Sequence, residues 1–378
     1  MLFAATAAQT AAQATPAPSA GASGPIVIAV PFMPTPAGLV TQAGSTEALG
    51  RQVAEVVAND LAGSGSFDAR GPEGLEPVSY VRVTAPDFRH WSGIGAGALA
   101  QGFVEANPDG SLTVGCYLYD VAARKELTRQ GFLVQPAQWR RAAHKCADTI
   151  YSRLTGEDPY FDSSLVYVAE GGPKHQRTKR LAIMDQDGAN HRFLTGAQSI
   201  ALTPRFAPDQ QSVVYMSYAG GRPGAYIYDL ASGQERPVVD QPNMTFAPRY
   251  SPNGRSVVFS MAVNGNTDVY RVPASGGPPE RLTDAAGIDT GGSYSPDGSK
   301  IVFESDRGGS QQLYVMNSDG SGQRRISFGD GRYGTPVWSP KGDLIAFTRM
   351  GPEGFRIGVM TPEGGGEKIL TRSWQDEG

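Results

Sequence analysis

The sequence predicts two folds in series, a small α/β domain with one mixed sheet over residues 25–158 and an all-β propeller over residues 159–378. Three observations carry this. A turn motif recurs at a constant step through the second part. A continuous apolar run followed by an amphipathic helix opens the first. The 48 Gly and 28 Pro among 378 residues supply the turns that many short strands need.

Residues 1–24 precede both domains. Leu2 to Ala14 is Ala-rich and ends Ala12-Gln13-Ala14, the small-x-small pattern of a signal-peptidase site without a basic start. It reads as a signal-peptide remnant, with an Ala-rich disordered leader as the alternative. Thr15 to Gly24 is a Pro/Ala/Ser/Gly linker with nothing to bury.

In the α/β part, Ile26-Val27-Ile28-Ala29-Val30 is apolar at every position, as in a strand buried on both faces. Leu49, Val53, Val56, Val57, Asp60 and Leu61 follow helical spacing, and Gly63 to Gly65 end that helix. A strand is expected at Val81-Arg82-Val83, followed by a small-residue helix running through Ala96, Leu99 and Phe103. Asp109-Gly110 marks a turn between strands, and a last helix runs from about Gln138 to Leu154.

The only cysteines, Cys116 and Cys146, both fall on buried faces. Alternation sets Cys116 beside Val114 and Leu118, and helical spacing sets Cys146 with Trp139, Ala143, Ile150 and Leu154. Two inert core thiols are the favoured reading, and a disulfide in an oxidising compartment is the alternative.

The repeat can be checked by subtraction. Ala207-Pro208-Asp209-Gln210, Ser251-Pro252-Asn253-Gly254, Ser295-Pro296-Asp297-Gly298 and Ser339-Pro340-Lys341-Gly342 each start 44 residues after the last. Leu181, Ala225, Val269, Leu313 and Ile357 keep the same step, so five copies are visible. Each unit reads as strand, turn, strand, loop, strand, turn and short fourth strand. Such a unit is a propeller blade, which buries both faces only by stacking on its neighbours.

Motifs for chemistry are missing. No Gly-x-Ser-x-Gly elbow occurs. Gly95-Ala96-Gly97-Ala98-Leu99-Ala100 fits a dinucleotide fingerprint only loosely and is read as close helix packing. Asp185-Gln186-Asp187-Gly188 lacks the distal ligands of a Ca²⁺ loop and is read as a turn. His90, His144, His175 and His191 stand at no metal-site spacing. The expectation is therefore no catalytic residue, cofactor or metal, although scattered loop carboxylates leave glycosidase-type chemistry formally open. A net charge of -4 gives no footprint for nucleic acid, and no apolar run is long enough for a membrane helix.

Particular segments carry a resemblance. Pro25-Ile26-Val27-Ile28-Ala29-Val30-Pro31-Phe32, Phe88-Arg89-His90-Trp91-Ser92-Gly93-Ile94-Gly95-Ala96, Trp139-Arg140-Arg141-Ala142-Ala143-His144 and Ile150-Tyr151-Ser152-Arg153-Leu154-Thr155-Gly156-Glu157 join blade segments such as Ser305-Asp306-Arg307-Gly308-Gly309-Ser310-Gln311-Gln312-Leu313-Tyr314. Over residues 25–378 the chain resembles the TolB family of the Tol–Pal system, in its alphaproteobacterial type. The resemblance implies an anticodon-binding-like α/β domain and a six-bladed propeller in the periplasm. It implies a non-enzymatic scaffold that binds the Pal lipoprotein across the propeller mouth and couples inner membrane, peptidoglycan and outer membrane during division. The resemblance further implies other outer-membrane proteins as partners, and TolA binding through the mature amino terminus, although residues 15–24 hold no apolar strand-forming segment. Relative to the family, blade six and the closing strand are expected to be missing, and the unclosed ring to aggregate when expressed alone. A hydrolase-linked or small-molecule-binding propeller is the alternative.

Carried over by blade register, the mouth residues are Gln198, Ser199 and Ile200; Met244, Thr245, Phe246 and Ala247; Ile288, Asp289 and Thr290; and Arg332, Tyr333 and Thr335. Met244, Ala247 and Thr290 match family positions tied to Pal. Phe246 and Tyr333 are expected to be the aromatic anchors, while Tyr250, Tyr294 and Trp338 fill a repeated core slot.

Overall fold

The structure, a computed structural model, describes residues 24–371 except 199 and 353, so the leader and the start of any sixth blade lie outside the described residues. The chain divides into two compact units: residues 1–163 together with Asp185–Asp187, and residues 164–184 with 188–378.

The first unit opens on strand β1 (Ile26–Ala29), a two-residue hairpin of β2 (Val40–Thr41) and β3 (Gly44–Ser45), and helix α1 (Thr46–Gly63). Ser45 caps α1 by accepting the Ala48 N–H at 3.2 Å. Strand β4 (Phe67–Arg70), helix α2 (Phe88–Gly93), strands β5 (Ala98–Ala106), β6 (Leu112–Asp120) and β7 (Lys125–Val134), and helix α3 (Trp139–Thr155) follow. The sheet order is β4-β1-β5-β6-β7, parallel across β4, β1 and β5 and antiparallel thereafter. Leu49, Val53, Val57 and Leu61 of α1 are buried with Ala143, Cys146 and Ile150 of α3 against the sheet, each larger side chain contributing roughly 1.5–3 kcal/mol.

Three expectations change here. The segment Tyr80–Arg82 is a 3₁₀ turn rather than a strand. Its carbonyls find side chains instead of a ladder: Tyr119 Oη donates to Val83 O at 2.8 Å, and Gln101 Nε2 lies 3.4 Å from the Arg82 and Val83 oxygens. The small-residue helix through Ala96, Leu99 and Phe103 is strand β5, so the Gly95–Ala100 segment packs as a turn and a strand rather than as a helix. Small residues serve close sheet packing there, since a Cβ on Gly102 would meet Gly115 O at 2.2 Å and Met33 Sδ at 2.6 Å; tertiary contact overrides helix propensity. Third, Cys116 and Cys146 form a disulfide, Cα–Cα 5.7 Å, between β6 and α3. Alternation on the strand and periodicity on the helix had aimed both sulfurs into one interface.

Among the described residues the second unit holds five sheets. The first has three strands, β8 (Ser164–Gly171), β9 (Thr178–Asp185) and β10 (Arg192–Phe193). The next two are β11 (Ala201–Phe206), β12 (Ser212–Ser217), β13 (Gly224–Asp229) and β14 (Glu235–Pro237), then β15 (Thr245–Tyr250), β16 (Ser256–Val263), β17 (Asn266–Pro273) and β18 (Glu280–Arg281). The last two are β19 (Asp289–Tyr294), β20 (Lys300–Ser305), β21 (Gln312–Asn317) and β22 (Arg324–Arg325), and β23 (Arg332–Trp338), β24 (Ile345–Gly351), β25 (Gly354–Met360) and β26 (Lys368–Ile369). All four complete sheets are antiparallel meanders. Their first strands contact one another from sheet to sheet, which makes them the innermost.

Blade stacking is where the core lies. Val214 and Ile227 of the second blade join Val257 and Phe259 of the third; Val258 and Val269 of the third join Ile301 and Phe303 of the fourth; Val302 and Leu313 of the fourth join Tyr333 and Phe347 of the fifth. Tyr294 and Trp338 are buried in these interfaces and Tyr250 packs against one.

Two side-chain latches repeat with the period. Ser251, Ser295 and Ser339 hydroxyls accept the N–H groups of Ser256, Lys300 and Leu344 at 3.0, 2.9 and 3.1 Å, closing turns whose glycines Gly254, Gly298 and Gly342 take φ near +70°. The N–H groups of Leu181, Val269, Leu313 and Ile357 donate to the hydroxyls of Thr195, Thr283, Ser327 and Thr371 at 2.8–3.0 Å. The second blade has Val239 at this position, and Thr245 Oγ1 of the next blade accepts the Ala225 N–H instead, at 2.7 Å.

Candidate functional site

One end of each innermost strand carries a repeated set of four positions. The first is Ile200, Met244, Ile288 and Arg332. Ile200, Met244 and Ile288 are 41%, 45% and 53% exposed. Their carbonyls are held from below, accepting from the N–H groups of Tyr218, Ala262 and Asp306 at 3.2, 3.0 and 3.4 Å. Three apolar side chains and one cation therefore stand at equivalent points of four blades.

The second position, Ala201, Thr245, Asp289 and Tyr333, is buried throughout. Arg307 Nη2 donates to Asp289 Oδ2 at 2.6 Å. Tyr333 Oη donates to Glu367 at 3.0 Å and its ring packs on Phe347; burial first, then Glu367, push its pKa up to about 12. This corrects the expectation that Tyr333 is an exposed anchor. Thr245, Asp289 and Tyr333 brace the loops from beneath, and the half-buried Phe246 is the aromatic that remains near the surface. Gln198 is exposed, and Ser199 lies outside the described residues.

At the third and fourth positions every innermost strand bulges. The ladders shift between Leu202 and Arg205, Phe246 and Arg249, Thr290 and Ser293, and Gly334 and Val337. Thr203, Ala247, Gly291 and Thr335 sit in these bulges with φ of +49°, +50°, +68° and +47°. Left-handed conformation costs a non-glycine residue of order 1–3 kcal/mol and persists only where the surroundings enforce it. Bulges of this kind re-aim side chains at working sites.

Opposite the bulges stand Met216, Ser260, Glu304 and Thr348. Burial pushes the Glu304 carboxyl above its ordinary range, against the lowering effect of hydrogen bonds from Gln311, Thr290 and the Thr335 N–H. Above it, Ile288, Thr290 and Arg332 gather with Glu304, Asp306 and Gln311 around a cleft of about 320 Å³ between the fourth and fifth blades. Asp306 shapes its rim by accepting the Ile288 N–H at 2.7 Å.

Sequence reading missed Thr203, Glu304, Asp306 and Gln311. The step of 44 applied to Ala247 gives Thr203, and applied to Ser260 gives Glu304. That subtraction was the available signal. Outside this face, Asp60, His144 and Asp187 bring ligand-type atoms within 4.8 Å of one another. Asp60 Oδ2 is already bonded to His144 Nδ1 at 2.7 Å and Arg140 pairs with Asp187, so the group is an ion-paired network of the first unit.

Residues 19–127 match the family model described as the TolB amino-terminal domain, and residues 151–378 match that of the TolB beta propeller domain. The chain is similar to the Tol-Pal system protein TolB of Zymomonas mobilis subsp. mobilis, 64% identical over 219 residues covering 58% of this chain and 48% of that protein. It is similar to the Tol-Pal system protein TolB of Rhizorhabdus wittichii, 67% identical over 202 residues covering 53% and 46%. The chain thus spans about half the length of the curated relatives it matches. The crystal structure of TolB from Acinetobacter baumannii superposes with a TM-score of 0.73 at 26% identity, over 93% of this chain and 84% of that one.

Proposed function

This chain belongs to the TolB family, and from that premise we propose that it is a periplasmic binding scaffold of a Tol–Pal system that takes the Pal lipoprotein across the propeller mouth and performs no reaction. The observation that carries the reading is the exposed set Ile200, Met244 and Ile288, repeated at one blade position with its backbone fixed. Exposed apolar side chains on braced loops suit a protein partner, because contact desolvates them with little ordering cost. Arg332 and the adjoining cleft add polar contacts that set orientation. TolA, together with outer-membrane proteins besides Pal, completes the proposed link between envelope layers. No helix among the described residues is long and apolar enough to cross a membrane.

The test is surface plasmon resonance of the protein over immobilised Pal. Met244→Lys and Ile288→Lys each place a charge in the apolar set and are expected to weaken binding about tenfold or more. Substituting Met244, Ala247 and Thr290 together should abolish it. Unchanged affinity in the triple variant, with an unchanged melting midpoint, would remove the mouth from the reading.

A further inference from the structure

We propose that Arg205, Arg249 and Ser293 form a cradle on the inner wall of the propeller that binds an oxyanion of phosphate or carboxylate type. The proposal does not rest on the partner reading above. The three residues occupy one register in successive blades, each two positions beyond the left-handed residue of its bulge. Arg249 reaches to the next blade, its Nη1 lying 3.5 Å from Ser293 Oγ, and Ser293 is itself buried. Arg205 Nη1 is parked on the carbonyl of its own neighbour, Pro204, at 2.8 Å.

Among the described residues neither of these two cations holds a counter-charge. Arg271, Arg281, Arg307 and Arg349 of the same unit each hold a carboxylate, on Glu280, Asp268, Asp289 and Glu367. Arg205 and Arg249 form no such ion pair among the described residues. Burial lowers both guanidinium pKa values, that of Arg249 to about 10, where the charge of Arg205 adds to the effect and Glu304 opposes it. Glu304 is held by Gln311, Thr290 and the Thr335 N–H, so it acts on Arg249 from a distance. Arg249 is half-buried and Arg205 exposed, and two like charges with no ion-paired carboxylate between them repel each other. An oxyanion between them relieves the repulsion, accepts from two guanidinium forks and takes the Ser293 hydroxyl as a third donor. The fourth residue of the register is Val337, so the fifth blade offers no carboxylate to compete.

The test follows the thermal midpoint of the protein against inorganic phosphate and against acetate, with chloride at equal ionic strength as the control. A saturable rise with either oxyanion, beyond that with chloride, is expected. Arg249→Gln and Arg205→Gln are each expected to raise the half-saturating concentration about tenfold, and Arg249→Lys, which keeps the charge and loses the fork, several-fold. Should Arg249→Gln fail to fold, Arg205→Gln, whose side chain keeps contact with water, supplies the same reading. Rises with both oxyanions that do not exceed chloride, or an oxyanion effect that survives in the Arg205→Gln/Arg249→Gln double variant, would overturn the cradle.

Discussion

Ser260 accepts the backbone N–H of Gly291 at 3.2 Å, a bond that runs from the second strand of one blade to the bulge of the next. Glu304 does the same for the N–H of Thr335 one blade on. Within the fifth blade the hydroxyls of Thr335 and Thr348 meet at 2.7 Å. The strained backbone that shapes the mouth is therefore held by polar side chains set opposite it, and Met216 is the one member of that series with nothing to donate or accept strongly.

Ser260→Ala leaves the Gly291 N–H without its acceptor in a part-buried setting. The expected loss is about 1–2 kcal/mol, read as a lower urea midpoint with an unchanged slope. Met216→Ala, which removes no such bond, serves for comparison. Equal losses in the two would show that packing, and not the hydrogen bond, holds the bulge.

Ala247→Gly should raise stability by roughly 0.5–1 kcal/mol, because glycine accepts the +50° φ without a Cβ penalty. Gly291→Ala should do the reverse by more than about 1 kcal/mol, since its Cβ would also meet Glu304 Oε1 at 2.7 Å. Paired thermal melts decide the matter; a destabilised Ala247→Gly is incompatible with stored strain at that position.

Cys116→Ala with Cys146→Ala opens a loop closed at a sequence separation of 30. The chain-entropy relation gives a loss of roughly 3–4 kcal/mol. Urea unfolding of the wild type with and without dithiothreitol should reproduce the shift seen in the double variant, while the variant itself ignores the reductant.

The His144–Asp60 pair makes the first unit pH-sensitive. Burial acts first on His144 and lowers its pKa, but the hydrogen bond and charge of Asp60, with Asp187, outweigh it and leave the net value raised. A raised imidazole pKa means that the folded form holds the proton more tightly. Its contribution is fully present below the unfolded value of about 6.5 and is lost as pH climbs through the folded value. Burial raises the Asp60 carboxyl as well, so Asp60 adds no ordinary acid-side loss in this window. The urea midpoint of the wild type should fall as pH rises above about 6.5, and that of His144→Gln should fall less. Parallel curves for the two proteins would exclude His144 as the source.

Much of this was legible in the residues. The step from Ser251 to Ser295 to Ser339 set the blade boundaries, because each blade repeats one turn chemistry and one apolar alternation. The helices over Thr46–Gly63 and Trp139–Thr155 followed from 3.6-residue spacing. Where local pattern misled, a distant partner was responsible. Ala98–Ala106 has the small side chains of a packed helix, yet β1 and β6 claim it as a strand. Tyr333 looks like a surface anchor in its loop, yet Glu367 and Phe347 draw it into the core.

By itself, then, the sequence determined the repeat and its register, which rest on one turn chemistry and one apolar alternation recurring every 44 residues. Only the tertiary structure decided that the two sulfurs join, that Thr203, Ala247 and Thr335 are held left-handed, and that Ser260 and Glu304 reach the following blade. Each of these depends on groups brought together from residues 9 to 31 apart, and pairwise distance at that range is a property of the folded chain, to which local periodicity is blind.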